Sequence, residues 1–122
     1  MSLPAVCGLP FADAWMKDGF CATELSIGVG RPRSVVALGT TDMLVLEKDT
    51  QSVVYIRDTD GDGWVDDRLR LASAPDLNHG LAVHGGYVYA SSDSTVYRWP
   101  WQVEDTTVGS REVVINNINP DG

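Results

Sequence analysis

The sequence has few basic residues and no long apolar segment. Its 122 residues include 9 Lys and Arg against 17 Asp and Glu, which gives a formal net charge of −8 at pH 7. Nonspecific nucleic-acid binding depends on basic side chains that neutralise phosphates, so this balance predicts no nucleic-acid partner. No apolar run approaches the ~20 residues that a membrane-spanning helix needs, and no membrane span is expected. The length allows one ordinary domain, with cations as the favoured partners.

Cysteine is also scarce: Cys7 and Cys21 are the only two. They bracket a short segment with two glycines, a proline and three aromatic residues, for which we expect no regular structure. A disulfide there would close a loop of about 15 residues and stabilise the fold by roughly 3 kcal/mol. This interpretation predicts an irregular, disulfide-linked N-terminal segment over residues 1–29. It also predicts a secreted, extracellular or periplasmic location, because disulfides persist in oxidising compartments. Two buried free thiols in a cytosolic protein are the alternative.

Several common catalytic motifs are missing. The sequence contains no Gly-rich phosphate loop, no nucleophile elbow around a serine and no constellation of zinc ligands. These absences disfavour nucleotide-binding and hydrolase functions.

Short apolar segments separated by turn residues fill the chain from Arg33 onward, with no sustained helical period. Segments of this length and spacing are typical of β-strands. The pattern predicts eight strands: 34–38, 43–47, 53–57, 68–72, 81–84, 87–91, 95–99 and 112–116.

The first four predicted strands can be superposed on the second four with an offset of about 42 to 46 residues. Residues 33–39 align with residues 79–85, and Val54-Tyr55 aligns with Val96-Tyr97. Four short strands at this period are typical of one blade of a β-propeller. The predicted fold is therefore all-β, with two four-stranded antiparallel blades. The first blade is expected over residues 30–76, and the second blade with the start of the next connection over residues 77–122.

Two blades do not close a propeller, which has typically four to eight. An isolated pair would leave apolar blade faces uncovered. We therefore expect either a piece of a longer chain, in which further blades cover these faces, or several copies that assemble together. The first expectation is favoured.

An aspartate-rich loop lies between the third and fourth predicted strands. Asp58, Asp60 and Asp62 stand at positions 1, 3 and 5 of an EF-hand-like calcium loop, and Trp64 at position 7 offers a backbone carbonyl. Asp66 at position 9 is placed to bind through water. The usual glutamate at position 12 is missing, and either Asp67 or water would complete the shell. The spacing predicts a calcium site, while a polar hairpin without a metal is the alternative.

Four groups of residues together resemble the glucose/sorbosone dehydrogenase family of quinoproteins: 30–34, 58–63, 77–81 and 87–91. The resemblance covers roughly residues 15 to 122. It implies a six-bladed propeller that holds pyrroloquinoline quinone (PQQ) over its central channel and oxidises sugars or related alcohols.

The resemblance assigns one catalytic residue to this chain. His79 matches the histidine that, in such enzymes, takes the proton of the substrate hydroxyl while hydride passes to the quinone. An imidazole suits this role because its ordinary pKa near 6.5 leaves much of it neutral at working pH. Inner strands of a propeller begin at the channel mouth, so His79 and Arg33 are expected to point toward the same place. The alternative is a hydrogen-bonded histidine that closes a turn.

Arg31 and Arg33 are candidates for binding the cofactor, because PQQ carries three carboxylates and guanidinium groups make paired contacts with such anions. The alternative is that both arginines satisfy carbonyls or acids at the end of the blade. His84, in a Gly-rich hairpin, is predicted to be structural or exposed. Trp99 and Trp101 are predicted to pack between blades.

Three functions are compatible with these observations. The first is part of a secreted quinoprotein sugar dehydrogenase, expected to be inactive as this piece alone. The second is a calcium-stabilised extracellular propeller that serves adhesion or carbohydrate binding without redox chemistry, since one architecture hosts many activities. The third is a two-blade module that assembles with other copies. The first is favoured.

Overall fold

The computed structural model describes residues 17–20, 22, 24–25 and 27–119. Cys7 and Cys21 lie outside these residues, and the disulfide stays a prediction. The described part of the chain contains eight strands: β1 (Pro32–Ala37), β2 (Met43–Glu47), β3 (Ser52–Arg57), β4 (Asp67–Ser73), β5 (Leu81–His84), β6 (Tyr87–Ser91), β7 (Val96–Pro100) and β8 (Glu112–Ile115). No described helix is long and apolar enough to cross a bilayer.

The strands form two four-stranded sheets of the same topology, ordered β1-β2-β3-β4 and β5-β6-β7-β8. Every neighbouring pair is antiparallel. Each sheet is a simple up-and-down meander, the arrangement of a propeller blade. The predicted all-β fold with two four-stranded antiparallel sheets is confirmed.

The sequence of each strand reflects how many of its faces are covered. The central strands β2 and β3 are buried on both faces, and their segments Met43–Glu47 and Ser52–Arg57 are nearly continuous apolar runs. In the second sheet, β6 alternates between buried and half-buried positions, as expected for a strand with one face in the core.

The main core lies between the two sheets. Side chains from β2, β3 and β4 of the first sheet and from β6 and β7 of the second pack in one cluster, together with residues of the connecting loops. The largest members are Trp99 and Trp101, each 3% exposed, followed by Tyr55 and Tyr97. The rings of Tyr55 and Trp101 pack edge to face, with their centroids 5.4 Å apart. The predicted packing of both tryptophans between the sheets is confirmed.

The opposite face of the first sheet has its own small core. Val45, Val54 and Ile56 are buried there with Val65, and Ile27 and Val29 pack against them. The segment that precedes β1 therefore covers part of this face.

The sheets share a structural irregularity that the sequence pattern does not reveal. The register of the fourth strand shifts by one residue in both sheets, which leaves Leu71 of β4 and Val114 of β8 without a paired partner. Both β-bulges lie in the fourth strand of their sheet and support the interpretation of two copies of one unit. A third bulge, at Arg33 of β1, has no counterpart in β5.

Candidate functional site

The innermost strands of the two sheets, β1 and β5, meet where they begin. The Nε of Arg33 donates to the carbonyl oxygen of Asn78 at 3.1 Å, and the hydroxyl of Ser34 donates to the carbonyl oxygen of His79 at 2.6 Å. We call these four residues the inter-sheet junction. Arg33 and His79 therefore lie close together, while the shared direction of their side chains stays a prediction.

The bulge in β1 explains how Arg33 reaches the second sheet. Pro32 pairs with Glu47 and Ser34 pairs with Leu46, so Arg33 is the extra residue. A bulge bends the strand locally and changes the direction of a side chain. Consecutive residues of β1 can therefore both contact the segment that leads into β5.

The backbone of His79 is also held from its own sheet. The N–H groups of Asn78 and His79 both donate to the carbonyl of Ser91, at 3.2 and 3.1 Å. The N–H of Gly80 donates to the Ser91 hydroxyl at 2.8 Å. A Cβ atom on Gly80 would lie 3.1 Å from this hydroxyl oxygen, so glycine permits the close approach.

The side chain of His79 remains accessible, with 64% of it exposed. Its Nδ1 lies 3.6 Å from a carboxylate oxygen of Asp93, which is also exposed. Asp93 lies on the Nδ1 side of the ring, which leaves the Nε2 side open to an approaching molecule. This arrangement suits a proton acceptor at the protein surface. His84, by contrast, lies at the end of β5 and is exposed, as predicted.

Arg31 lies beside the junction in an unusual conformation. Its φ of 51° is in the left-handed region, and its Nε pairs with a carboxylate oxygen of Asp49. The backbone also joins this turn to the β2–β3 hairpin, because Lys48 N–H donates to the Arg31 carbonyl at 3.0 Å. Arg33 uses only its Nε in described contacts, so its two terminal amino groups have no protein partner among the described residues. These groups fit a carboxylate-bearing cofactor, and cofactor binding by Arg31 and Arg33 stays a prediction.

A buried acid next to this turn was not predicted from the sequence. Glu47 is 1% exposed, and it accepts hydrogen bonds from the Gly30 N–H at 2.8 Å and from Arg68 Nη2 at 2.6 Å on both oxygens. Burial alone would raise the pKa of Glu47, but hydrogen bonds from Arg68, Thr50 and Gly30 lower it below its ordinary value of 4.5. Glu47 therefore stays ionised and anchors the turn before β1. A glutamate that ends an otherwise apolar strand was the available signal.

The aspartate loop forms a second candidate site. Oxygen atoms of Asp58, Asp60 and Asp66 lie within 4.8 Å of one another. The loop backbone supports this cluster, because Gly61 N–H and Gly63 N–H donate to the two oxygens of Asp58, at 2.9 and 2.8 Å. Both glycines have positive φ, at 74° and 90°, which their lack of a side chain permits.

The carboxylates of this cluster perturb one another. The backbone N–H of Asp62 favours the charged form of Asp60, but hydrogen bonding to the neighbouring Asp58 and Asp62 carboxyls, with some desolvation, raises the pKa of Asp60 to about 6. The hydroxyl of Thr59 lowers the pKa of Asp66. A hard cation with oxygen ligands would relieve this repulsion, so the donor set fits calcium.

One of the predicted acidic ligands, Asp62, neighbours Asp60 without belonging to the converging cluster. The carboxylate of Asp62 accepts the N–H of Trp64 at 2.9 Å and is not among the three converging acids of the described residues. The Trp64 side chain is partly exposed. Calcium binding by these five residues stays a prediction.

The two candidate sites lie at opposite ends of the first sheet. One end of the sheet contains the paired residues Pro32, Glu47, Ser52 and Ser73. The other end contains Ala37, Met43 and Ile56. The inter-sheet junction is at the first end, whereas the aspartate loop connects β3 to β4 at the second. A cation in this loop would therefore be remote from His79.

Comparisons with known proteins agree with this fold. The TrAA12-like family model matches residues 14–122. A pyrroloquinoline quinone-dependent sugar dehydrogenase of Hypocrea jecorina (strain QM6a) is 34% identical over 112 residues, which is 85% of this chain and 26% of that protein.

Solved structures also resemble the chain. The calcium structure of Trichoderma reesei Carbohydrate-Active Enzymes Family AA12 is 33% identical, with a TM-score of 0.64 over 78% of this chain and 25% of that one. The holo form of the pyranose dehydrogenase PQQ domain from Coprinopsis cinerea is 23% identical and shares the fold, with a TM-score of 0.62 over 75% of this chain and 23% of that one. The chain spans about a quarter of the length of the relatives it matches.

The matched family model covers all eight described strands, and the resemblance to quinone-dependent sugar dehydrogenases is confirmed. The chain therefore belongs to the TrAA12-like family.

Proposed function

We propose that the chain forms two consecutive blades of a six-bladed, PQQ-dependent sugar dehydrogenase, in which His79 is the general base. The observation that carries this proposal is the inter-sheet junction. It presents the exposed imidazole of His79 where two innermost strands begin, in a chain whose relatives are quinone-dependent sugar dehydrogenases.

The residues of this chain would bind and move a proton. Nε2 of His79 would accept the proton of the sugar hydroxyl, while Asp93 lies on the opposite, Nδ1 side of the ring. The terminal amino groups of Arg33 would pair with a carboxylate of the cofactor, and Arg31 would add positive charge nearby. When bound, PQQ supplies the two-electron acceptor for the oxidation. Further blades would supply the rest of its pocket, so this piece alone is expected to be inactive.

The activity is tested on the complete protein. We expect reduction of an artificial electron acceptor by an aldose only after PQQ has been added. A broad panel of sugars and related alcohols then defines the substrate. If PQQ binds nowhere and no sugar reduces the acceptor, the protein is a propeller without redox chemistry, as the adhesion or carbohydrate-binding alternative requires.

The role of Arg33 is tested separately by PQQ titration. We expect Arg33→Gln to weaken PQQ binding about tenfold, as loss of one charge-assisted contact would do. Arg70→Gln is the matched control, because Arg70 also donates to a backbone carbonyl, that of Thr50, but on the outermost strand of the sheet. Equal PQQ affinity for the Arg33 variant and the wild type would show that Arg33 does not bind the cofactor.

We further propose that the aspartate loop binds calcium and that the bound ion stabilises the β3–β4 hairpin. The three converging carboxylates of Asp58, Asp60 and Asp66 support the proposal, with Asp62 and the Trp64 carbonyl as further ligands. Trp64 lies in this loop, so its excitation is expected to sensitise the luminescence of bound terbium, which calcium should then displace. Asp60→Asn should abolish the signal, whereas Asp76→Asn, an exposed aspartate outside the loop, should not. Terbium luminescence that survives Asp60→Asn would contradict the site.

We also propose that the protein is secreted with Cys7 and Cys21 joined by a disulfide. The cysteine spacing supports this proposal. Mass spectrometry of the alkylated protein, with and without reductant, is expected to show two thiols only after reduction. Two alkylated thiols without reductant would contradict it.

A further inference from the structure

We propose that Ser34 is a positioning residue for His79. Its hydroxyl, which belongs to the first sheet, donates to the carbonyl oxygen of His79 in the second sheet at 2.6 Å. The inference rests on the proposed role of His79 as general base. In this proposal, a residue of the first sheet holds the proton acceptor of the second sheet in place.

The backbone of His79 is held from two sides. Its N–H donates to the Ser91 carbonyl of its own sheet at 3.1 Å, and its carbonyl accepts the Ser34 hydroxyl of the other sheet. With both polar backbone groups bound, mainly the side-chain torsions of His79 remain free. Asp93, 3.6 Å from Nδ1, then favours one orientation of the ring.

The bulge in β1 gives this contact its geometry. Because Arg33 is the extra residue, Arg33 and Ser34 bind two consecutive carbonyls, those of Asn78 and His79. No bulge occurs in β5, so the device belongs to the first of the two sheets only. In a regular strand, consecutive side chains point to opposite faces, so only one of two neighbouring donors would face the second sheet. The bulge in β1 lets both donors contact it.

Removal of the Ser34 hydroxyl is expected to loosen His79 without unfolding the sheets. The Arg33 contact and the Ser91 contacts would remain, and Ser34 is only partly buried, so water can replace the lost donor. The imidazole would then sample more orientations. The loss would lower the fraction of complexes in which Nε2 faces the substrate hydroxyl, and so would lower kcat rather than raise KM.

The test uses the complete protein loaded with PQQ. We expect Ser34→Ala to lower kcat about five- to tenfold, as the loss of one hydrogen bond would do, with KM and PQQ affinity unchanged and the protein still folded at the assay temperature. Ser34→Thr keeps a hydroxyl on a strand-compatible side chain and should restore kcat. Ser73→Ala, at an exposed position of the outermost strand, is the matched control.

Hydrogen–deuterium exchange provides a readout that does not depend on activity. The amides of Asn78, His79 and Gly80 all donate within the second sheet, so their protection reports the order of this segment. Ser34→Ala should speed their exchange, and Ser34→Thr and Ser73→Ala should leave it at the wild-type rate. Unchanged exchange at these amides, or an unchanged kcat in an active protein, would overturn the positioning role. Faster exchange in a protein that oxidises no sugar would instead uphold the contact and refute the proposed function.

Discussion

Glu47 and Arg68 form an ion pair on the face of the first sheet that carries Val45 and Val54, although β3 lies between their strands. Arg68 Nη2 is 2.6 Å from both carboxylate oxygens of Glu47, whose side chain is 1% exposed. The same carboxylate accepts the N–H of Gly30. The pair therefore links the outer strand of the sheet to the turn that leads into the innermost strand.

Glu47→Gln is expected to lower the free energy of unfolding by about 2 kcal/mol, because hydrogen bonds to a buried charge are lost. Chemical denaturation of the complete protein provides the measurement. Glu112→Gln is the matched control, since Glu112 pairs with Arg98 at 3.2 Å with 45% of its side chain exposed. An exposed pair contributes little, and this variant should change stability by less than about 0.5 kcal/mol. Equal effects of the two substitutions would contradict the anchoring role of Glu47.

The same carboxylate predicts a pH dependence. Hydrogen bonds that outweigh burial place the pKa of Glu47 in the folded protein below its ordinary value of 4.5. An acid whose pKa is lower in the folded protein than in the unfolded chain stabilises the fold at pH values above the pKa of the unfolded chain. This contribution is lost as the pH falls through the pKa of the folded protein. Melting temperatures of the wild type and Glu47→Gln should therefore differ at pH 7, begin to converge as the pH falls below about 4.5, and coincide once the pH has passed the lowered pKa of Glu47 in the folded protein. A difference that does not shrink at all as the pH is lowered through this range would show that the charge of Glu47 is not the cause.

Tyr55 joins the first sheet to the β7–β8 loop of the second. Its hydroxyl accepts the N–H of Glu104 at 3.2 Å, and its ring contacts Trp101. Tyr55→Phe should keep the ring contact and lower the free energy of unfolding by about 1 kcal/mol. Tyr97→Phe, for whose hydroxyl the described residues offer no hydrogen-bond partner, should have a smaller effect. A neutral Tyr55→Phe would mean that the hydroxyl does not hold the two sheets together.

Calcium should stabilise the complete protein if the aspartate loop binds it. At a free concentration of 100 times Kd, a ligand of the folded state adds about 2.7 kcal/mol to the free energy of unfolding. The melting temperature should fall on chelation and recover when calcium is added, and Asp60→Asn should remove most of this response. Identical calcium responses in wild type and Asp60→Asn would place the stabilising ion elsewhere.

The strands of this fold were readable from the sequence because they depend on local pattern. Segments such as Met43–Glu47, Leu81–His84 and Tyr87–Ser91 have the bounds that their apolar residues and flanking turns predict. The aspartate loop was also recognised as a candidate metal site, because its acids lie in one short segment, although Asp66 and not Asp62 joins Asp58 and Asp60 in the cluster. Short-range spacing determines both features.

Features that depend on contacts between distant parts of the chain were not readable in the same way. The bulge at Arg33, the hydrogen bond from Ser34 to His79 and the burial of Glu47 join residues 17 to 45 positions apart. A bulge adds one residue without changing the apolar pattern enough to be recognised. Such contacts arise only when two strands pack at a fixed distance, which sequence spacing does not define.

The most direct test of this account compares two histidines of the second sheet in the PQQ-loaded complete protein. His79→Asn removes the proposed general base and should lower kcat for sugar oxidation at least about a hundredfold, with PQQ affinity unchanged. His84→Asn, at the exposed end of the same strand, should leave kcat at the wild-type value. Full activity in His79→Asn, or an equal loss in both variants, would contradict the assignment of His79 as the proton acceptor.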